Sequence, residues 1–406
     1  MFTVGLIREG KVPPDKRVPF TPEQVREIHQ LYPSIGLTVQ HSDIRCFKDE
    51  EYSSIGIPVT EDVSGCDVLM GIKEVPVEQL IPGKTYLFFS HTIKQQPYNQ
   101  KLLRTILDRG IRLIDYETLR DPLGNRLVAF GRYAGIVGAY NGLWTYGKKT
   151  GSFHLRRAFE CFDINDLKLE LRKVSLPPVK IILTGGGRVA RGAMETLDTA
   201  GIRKVRPQDF LEKTWEEPVY VQLGSGDYHF RRQVGKFNRA EFHAHPERYD
   251  SRFREFLKVT DLILAGAYWN PNAPVLFTRE DMLQPWFRVS TIADITCDIN
   301  GSVPSTIRAS SISDPVYDYD PATGTEAPPF SGNGKVTVMA IDNLPCELPR
   351  SASEEFGRDL IDRILKPLLE GDVDRIIERA TIAENGQLTP AFEYLRDYAD
   401  EGRSAK

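Results

Sequence analysis

The chain is 406 residues long, 41% hydrophobic and 27% charged, with 52 basic against 56 acidic residues and a formal net charge of −4. That size fits two or three domains with full apolar cores, and so even a charge balance argues against nucleic acid or an anionic membrane surface as the main partner, since both select a large basic excess. Five scattered cysteines (Cys46, Cys66, Cys161, Cys297 and Cys346) form no Cys-x-x-Cys pair, so neither a disulfide framework nor a zinc site is expected, and the compartment read from them is a reducing one, the cytoplasm.

The opening MFTVGLIREG reaches charge too soon for a secretory signal, and no apolar run approaches the roughly 18 residues of a membrane span. Residues 3–7 read as a first strand. Thr21, Pro22 and Gln24 then form a helix start, with Thr as cap, Pro in the first turn and Gln closing a capping box; Val25, Ile28 and Tyr32 make its apolar stripe. Residues 37–40, 68–72, 86–89 and 111–114 are short apolar runs that read as buried parallel strands, with a helix over 98–109 whose inner face is Leu102, Leu103, Ile106 and Leu107. The run GRYAGIVGAYNGLWTYGKK from Gly131 is a candidate for a long, closely packed helix linking two lobes, although its glycines weaken the helix. Residues 152–178 end in Leu-Pro-Pro and resemble a boundary. A second β/α series follows, with strands expected at Lys180–Thr184, 261–265, 289–292 and 336–341. Residues 314–334 read as an irregular loop. Ser351 to Glu354 read as a capping box opening a helix with Phe356, Leu360, Ile361, Ile364, Leu365 and Leu368 buried. The alternation predicts an α/β fold of two Rossmann-like lobes with mostly parallel sheets and an interlobe cleft.

The strongest single motif is TGGGRVARGA. Gly185-x-Gly187-x-x-Ala190 follows an apolar strand and opens a helix whose inner face is Ala193, Leu197 and Ala200. The first glycine permits the tight turn, the second lets backbone approach a pyrophosphate, and the small third residue lets helix pack on strand. Arg188, Val189 and the helix N-terminus complete the candidate dinucleotide site; a tight turn with no ligand is the alternative. About 20 residues on, where an acid would hold a ribose 2′-hydroxyl, the chain reads Arg203-Lys204-Val205-Arg206. Basic residues there, Arg206 included, suit a 2′-phosphate and lean the cofactor from NAD toward NADP, unless they are a solvated strand end. Asp294 ends a strand of the same lobe and is placed near the nicotinamide.

In an open parallel sheet, ligands bind beyond the carboxyl ends of the strands. Lys73 and Glu74 follow one expected strand and His91 another, so two titratable groups fall at that edge. A lysine beside other cations and a histidine make an acid–base pair; a surface lysine and an edge histidine are the plain alternatives. Arg8, Lys11, Lys16 and Arg17 crowd the loop after the first strand and would hold carboxylates, or else form a solvated basic loop. Asp115 and Glu117 end another strand, where an acid suits a substrate ammonium. His243 and His245, with His229, lack the acid or cysteine spacing of a metal site, and the run PERYDSRFREF beside them reads as a surface helix, so no metal is expected. Tyr268 and Trp269 read as aromatic packing or a pocket wall.

Taken together, REGKVPPDKRVPFTP, GIKEVP, FFSHTIKQQ, DYETL, VAFGRYAGIVGA, TGGGRVARGA, GAYWNPNAP, IADITCDINGS and AIDNLPCELPRSASEEFG resemble the saccharopine dehydrogenase (L-lysine-forming) and lysine-ketoglutarate reductase family, relatives of alanine dehydrogenase, over nearly the whole chain. The resemblance implies Lys73 and His91 as acid–base residues, Arg17 with Lys11 on the substrate carboxylate, and Glu74 and Glu117 as substrate-facing acids. It implies a discontinuous substrate lobe, residues 1–135 plus 345–406, and a dinucleotide lobe, residues 136–344. It also implies a single activity, without the further half carried by bifunctional enzymes, on a small amino-acid or oxo-acid substrate. GGGRVA and the basic run after it match no single pattern of the family, which leaves NAD against NADP open. An alanine-dehydrogenase-like enzyme and a nucleotide-binding regulator without turnover are the other readings.

Overall fold

The computed structural model describes residues 2–332 and 334–401. The chain forms two compact units: residues up to Phe130 together with those from Pro349 onward, and Gly131–Leu348 between them. The first unit opens with β1 (Phe2–Leu6), β2 (Ile35–Gln40), β3 (Val59–Thr60), β4 (Val68–Met70), β5 (Thr85–Phe88) and β6 (Arg112–Asp115), all mutually parallel. The second holds β7 (Lys180–Thr184), β8 (Arg203–Lys204), β9 (Val219–Leu223), a separate hairpin of β10 (His229–Arg231) and β11 (Tyr249–Ser251), then β12 (Leu262–Ala265), β13 (Thr291–Asp294), β14 (Val316–Asp320), β15 (Thr325–Ala327) and β16 (Val336–Met339). The chain returns to the first unit for β17 (Thr381–Glu384) and β18 (Gln387–Leu388).

Each unit is built on one eight-stranded sheet, ordered β18-β17-β6-β5-β4-β1-β2-β3 in the first and β15-β14-β16-β13-β12-β7-β9-β8 in the second. The central strands are apolar because both faces of a parallel sheet are covered: Val68, Leu69 and Met70 in β4 and Tyr86, Leu87 and Phe88 in β5 are all buried. In the first unit the helix Pro22–Leu31 starts at the Thr21–Gln24 capping box. Gln24 Nε2 also donates to Glu354 O at 2.6 Å, tying this helix to the helix Pro349–Leu360.

The second unit rests on a helix pair. Gly131–Thr150 and Arg188–Thr199 cross with backbone against backbone. A Cβ on Gly135 would stand 1.9 Å from Val189 O, and one on Gly192 would stand 1.9 Å from Arg132 O. The glycines that weaken the helix as a sequence are what let it dock here. Thr196 Oγ1 fastens the crossing by donating to Ile136 O at 3.1 Å.

Three expectations are corrected. Residues 314–334 are not an irregular loop: β14 and β15 form an antiparallel hairpin on the edge of the second sheet, turning at Gly324 with φ +75°. Asp318, one of the aspartates that made the run look like loop, is satisfied within the sheet, accepting from Thr337 Oγ1 at 2.5 Å and Ser331 N at 2.7 Å. The run PERYDSRFREF is not a surface helix but a 3-10 turn Pro246–Arg248, strand β11 and a short helix Arg254–Leu257. Ser351 lies inside the helix Pro349–Leu360 rather than capping it, because Pro349 is already suited to the first turn. Strands β3, β8, β9, β10, β17 and β18 went unread. Among the described residues no helix is long and apolar enough to cross a membrane.

Gly192→Ala should lower the stability of the second unit by about 1–3 kcal/mol, the usual cost of overpacking a filled interior. A denaturant midpoint unchanged from the parent would show that the two helices do not meet this closely.

Candidate functional site

At the carboxyl edge of the first sheet the segments following β1, β4, β5 and β6 converge. Glu9, three residues past β1, is buried and reaches the segment after β4. Its Oε1 accepts from Ile72 N at 2.6 Å and its Oε2 from Lys73 N at 2.9 Å. Gly71 makes room for it, since a Cβ there would lie 3.3 Å from Glu9 Oε1 and 3.1 Å from the Ile7 side chain. The backbone that carries Lys73 and Glu74 is thus fixed by a carboxylate from the neighbouring strand's loop.

Glu74 holds two of the other expected residues. Lys11 Nζ donates to Glu74 Oε2 at 2.9 Å, and His91 Nδ1 lies 2.6 Å from Glu74 Oε1. With Nδ1–H donating to the carboxylate, Nε2 is the ring nitrogen left to take or give a proton. His91 itself sits at φ +54°, a left-handed conformation uncommon for a side chain of this size. Its loop is anchored by Asp115, which accepts from Ser90 N at 3.0 Å, from Ser90 Oγ and from Glu117 N at 2.7 Å. Asp115 is fully buried in this role.

The charges are perturbed in opposite directions. Burial pushes the Glu9 carboxyl up to about 8, with nearby Asp15 adding to the rise. Burial would also raise Glu74, but the His91 hydrogen bond, the ring's charge and Lys11 overcome it and hold that carboxyl at about 2. Burial lowers the Lys73 ammonium, and Arg17 and Lys11 reinforce the shift against the opposing Asp15 and Glu74. The two carboxyls of this edge, Glu9 and Glu74, therefore titrate far from one another, the pattern that separates acid from base roles.

Arg17 is buried, and Asp15 takes its fork: Nε to Oδ1 at 2.9 Å and Nη2 to Oδ2 at 2.5 Å. Its guanidinium also lies over the Phe130 ring, 4.1 Å from the centroid. Arg8 pairs with Glu61 at 2.9 Å. Of the run read as a basic cluster, Arg8, Lys11 and Arg17 are thus each paired with an acid, and the partner of Arg17, Asp15, stands inside the run itself. Glu117 is not joined to the Lys11–Glu74–His91 chain by any described contact. It pairs with Lys94 at 3.6 Å and Arg126 at 3.8 Å, while its Oε2 is buried with no hydrogen-bond partner.

In the second unit the glycine turn has the form a dinucleotide needs. Gly185 adopts φ +101°, where a Cβ would stand 3.0 Å from Gly266 O. Gly187 caps the helix Arg188–Thr199, and nothing lies within 4 Å of where its Cβ would be. That leaves space at a helix N-terminus for phosphate. Arg188 and Val189 open the helix and Ala190 is buried against the unit. Asp294 is buried and holds its own loop, accepting from Thr296 Oγ1 at 2.6 Å, Thr306 Oγ1 at 2.7 Å and Cys297 N at 3.2 Å. Arg206 is exposed and pairs with Asp209 at 2.8 Å. His229 is buried, packed between the tilted rings of Tyr228 and Phe242, and burial lowers its ring to about 4.

Glu9→Gln leaves an amide N–H₂ facing one of two backbone donors, so above pH 8, where the Glu9 carboxyl is ionised, it should cost about 1–3 kcal/mol in denaturant titration; a neutral effect there would remove Glu9 from this role. Glu74 makes a pH prediction. Its folded carboxyl titrates below the ordinary 4.5, so the stability it contributes is complete above pH 4.5 and is lost as pH falls toward 2. On the order of 3 kcal/mol is at stake. Glu74→Gln should flatten the stability profile in that window, and an unchanged slope would show that the pairing does not hold in solution.

Residues 5–137 match the family described as alanine dehydrogenase/PNT, N-terminal domain. The chain is 31% identical to the mitochondrial alpha-aminoadipic semialdehyde synthase of Mus musculus, over 97% of this chain and 47% of that protein. It is 25% identical to the saccharopine dehydrogenase [NAD(+), L-lysine-forming] of Emericella nidulans, over 89% of this chain and 91% of that one. The chain thus spans about half the length of the semialdehyde synthases it matches. A solved L-alanine dehydrogenase superposes with a TM-score of 0.65 at 15% identity, covering 98% of this chain and all of the other, a likeness of fold. The chain is thus similar in sequence to saccharopine dehydrogenases and alpha-aminoadipic semialdehyde synthases, and it has the fold of alanine dehydrogenase.

Proposed function

We propose that the chain is an NAD(P)-dependent oxidoreductase that interconverts saccharopine with L-lysine and 2-oxoglutarate. The observation that carries this reading is the group at the carboxyl edge of the first sheet: a Lys73 ammonium depressed by burial and by Arg17, beside the Lys11–Glu74–His91 chain. The glycine turn of the second unit fits a dinucleotide pyrophosphate through Gly185, Gly187, Arg188, Val189 and Ala190. Bound there, a nicotinamide cofactor supplies or accepts the hydride. Both NAD and NADP are candidates, with the lean toward NADP. The five cysteines, all free thiols, agree with a reducing, cytoplasmic setting.

In the reductive direction the lysine ε-amine attacks the keto carbon of 2-oxoglutarate, the carbinolamine loses water, and the resulting imine is reduced to the secondary amine. Attack and dehydration each move a proton. Lys73, because its ammonium gives up a proton more readily than an ordinary lysine, and His91, through Nε2, carry those protons between them. Glu74 keeps His91 in the Nδ1–H tautomer and orients it. Arg17, held flat by Asp15 and Phe130, and Lys11 supply positive charge for the substrate carboxylates. Glu117, with its buried Oε2 lacking a partner, suits the substrate ammonium.

The test is oxidation of NADH and NADPH by the purified chain with lysine plus 2-oxoglutarate, set beside pyruvate plus ammonia. Turnover that needs lysine and 2-oxoglutarate together supports the reading; turnover only with pyruvate and ammonia replaces it with alanine dehydrogenase chemistry. Lys73→Met and His91→Gln should each lower kcat by about 10²–10⁴-fold while calorimetric dinucleotide binding persists. Full turnover in either variant overturns the role given to that residue.

A further inference from the structure

A cavity of about 210 Å³ lies in the first unit, beside the candidate site, where the segments leaving β1 and β4 pack on each other. Its interior is apolar. Leu69 of β4 and Tyr86 of β5, register partners in the sheet, form one wall, and Ile7, Val63, Val75 and Ile81 form the rest. Val63, Leu69, Val75 and Tyr86 are buried, so the cavity is set into the core. An apolar cavity of roughly 150 Å³ holds a benzene molecule; this one is large enough for a branched aliphatic chain or a single aromatic ring.

The polar part of the lining is Arg8, Gln40 and Gln79, which reach solvent. Arg8 Nη1 donates to Glu61 Oε2 at 2.9 Å, and Gln40 ties the two segments together, its Oε1 accepting from Arg8 N at 3.1 Å and its Nε2 donating to Glu61 O at 3.2 Å. The rim therefore carries a cation and an anion side by side over an apolar interior. A simple anion has to compete with Glu61 for Arg8, and a simple cation with Arg8 for Glu61. A zwitterion meets both, with its carboxylate on the guanidinium donors that Glu61 leaves open and its ammonium on the Glu61 carboxylate.

Whatever fills this cavity touches the two segments that build the candidate site. Ile7 and Arg8 run directly into Glu9, and Val75 directly follows Lys73 and Glu74. Ile7 packs on Gly71, where a Cβ would stand 3.1 Å from its side chain, and Gln79 packs on Gly10, where a Cβ would stand 2.8 Å from its Oε1. Gly10 adjoins Lys11, the partner of Glu74. Glu9 in turn accepts from Ile72 N and Lys73 N. A ligand here therefore bears on both ends of those bonds, while Glu9, Lys73, Glu74 and His91 are not among the residues that line the cavity.

We propose that this cavity binds a free amino acid with an apolar side chain, of leucine to phenylalanine size, as a regulatory ligand of the neighbouring edge. The side chain fills the interior, Arg8 takes the carboxylate and Glu61 the ammonium. The proposal stands apart from the reaction assigned to the edge, because its test reads binding and amide exchange without turnover. The test is calorimetric titration of the full chain with L-leucine, L-phenylalanine, L-alanine and 4-methylpentanoate, which lacks the ammonium, for the parent, Ile81→Phe and Arg8→Gln. Hydrogen exchange of residues 71–75 is followed alongside by mass spectrometry. The parent should bind L-leucine or L-phenylalanine with a Kd of roughly 0.01–1 mM, within reach of so small a ligand. L-alanine should bind roughly ten- to fiftyfold more weakly for want of the apolar body, and 4-methylpentanoate about two- to fivefold more weakly, the scale of an exposed charge pair. Ile81→Phe, which fills the cavity from a half-buried position, should weaken binding roughly ten- to a hundredfold, and Arg8→Gln about two- to fivefold. Ligand should slow exchange of residues 71–75 in the parent and leave it unchanged in Ile81→Phe. No binding by the parent, 4-methylpentanoate bound as tightly as L-leucine, or undiminished binding by Ile81→Phe overturns the proposal, the last by placing the ligand at another site. Binding that leaves the exchange of residues 71–75 unaltered overturns the regulatory role. Should Ile81→Phe fail to fold, the exposed Arg8→Gln decides, and unchanged binding there overturns the site.

Discussion

A parallel sheet ends all its strands in the same direction, and the edge where they end cannot be finished by hydrogen bonds of the ladder. Something else must satisfy the last N–H groups and aim the loops. In the first unit that work falls to Glu9, which accepts from Ile72 N and Lys73 N. Through those two bonds the loop after β1 sets the backbone of Lys73 and Glu74. Asp115 performs the matching task between β5 and β6 by binding Ser90 and Glu117 N. The titratable side chains of the edge are thus held by carboxylates that themselves belong to the edge, and the geometry of the candidate site follows from how the sheet is closed at that end.

Those buried carboxylates also shape the electrostatics. Desolvation penalises any charge here, and each group answers according to its partners. Glu74 has His91 and Lys11 and remains ionised far below the ordinary range; Glu9 has only backbone donors and Asp15 nearby and rises to about 8. Arg17 has Asp15 in a two-point fork and stacks on Phe130. Lys73 has neighbours of both signs but forms no ion pair among the described residues, so burial dominates and its ammonium is weakened. A single edge therefore contains a firmly held anion, a firmly held cation and an amine whose ammonium is weakened by burial.

The second unit solves a different problem, the close approach of backbone. Gly135 and Gly192 let two helices touch main chain to main chain, and Gly185 and Gly187 leave the turn open at the N-terminus of one of them. The same helix, Arg188–Thr199, is thus buried on one side by glycine packing and lines on another the groove that ends at Lys204. Since β9 lies between β7 and β8, the groove is lined both by Tyr220 of the adjacent strand and by the long side chain of Lys204 from the edge strand.

The parallel strands, the Thr21 capping box, the long glycine-rich helix and the glycine turn were legible in the sequence because each is a local pattern: an apolar run, a cap, a spacing of small residues. So was the placing of Lys73, Glu74 and His91 at a carboxyl edge, which needs only the strand boundaries. Glu9 and Asp15 were not legible. They sit in a run whose basic residues dominate the eye, and nothing local tells that their partners are the N–H of Ile72 and Lys73 and the fork of Arg17. The hairpin β14–β15 was missed for a related reason, since Asp318 looks like loop until Thr337 and Ser331 are beside it. By itself the sequence determined the repeated β/α pattern, the glycine turn and the residue types at the first sheet's edge, since these are properties of neighbours along the chain. Only the tertiary structure decided which acid meets which cation, and that β9 rather than β8 lies beside β7, because both are set by which distant segments pair in space.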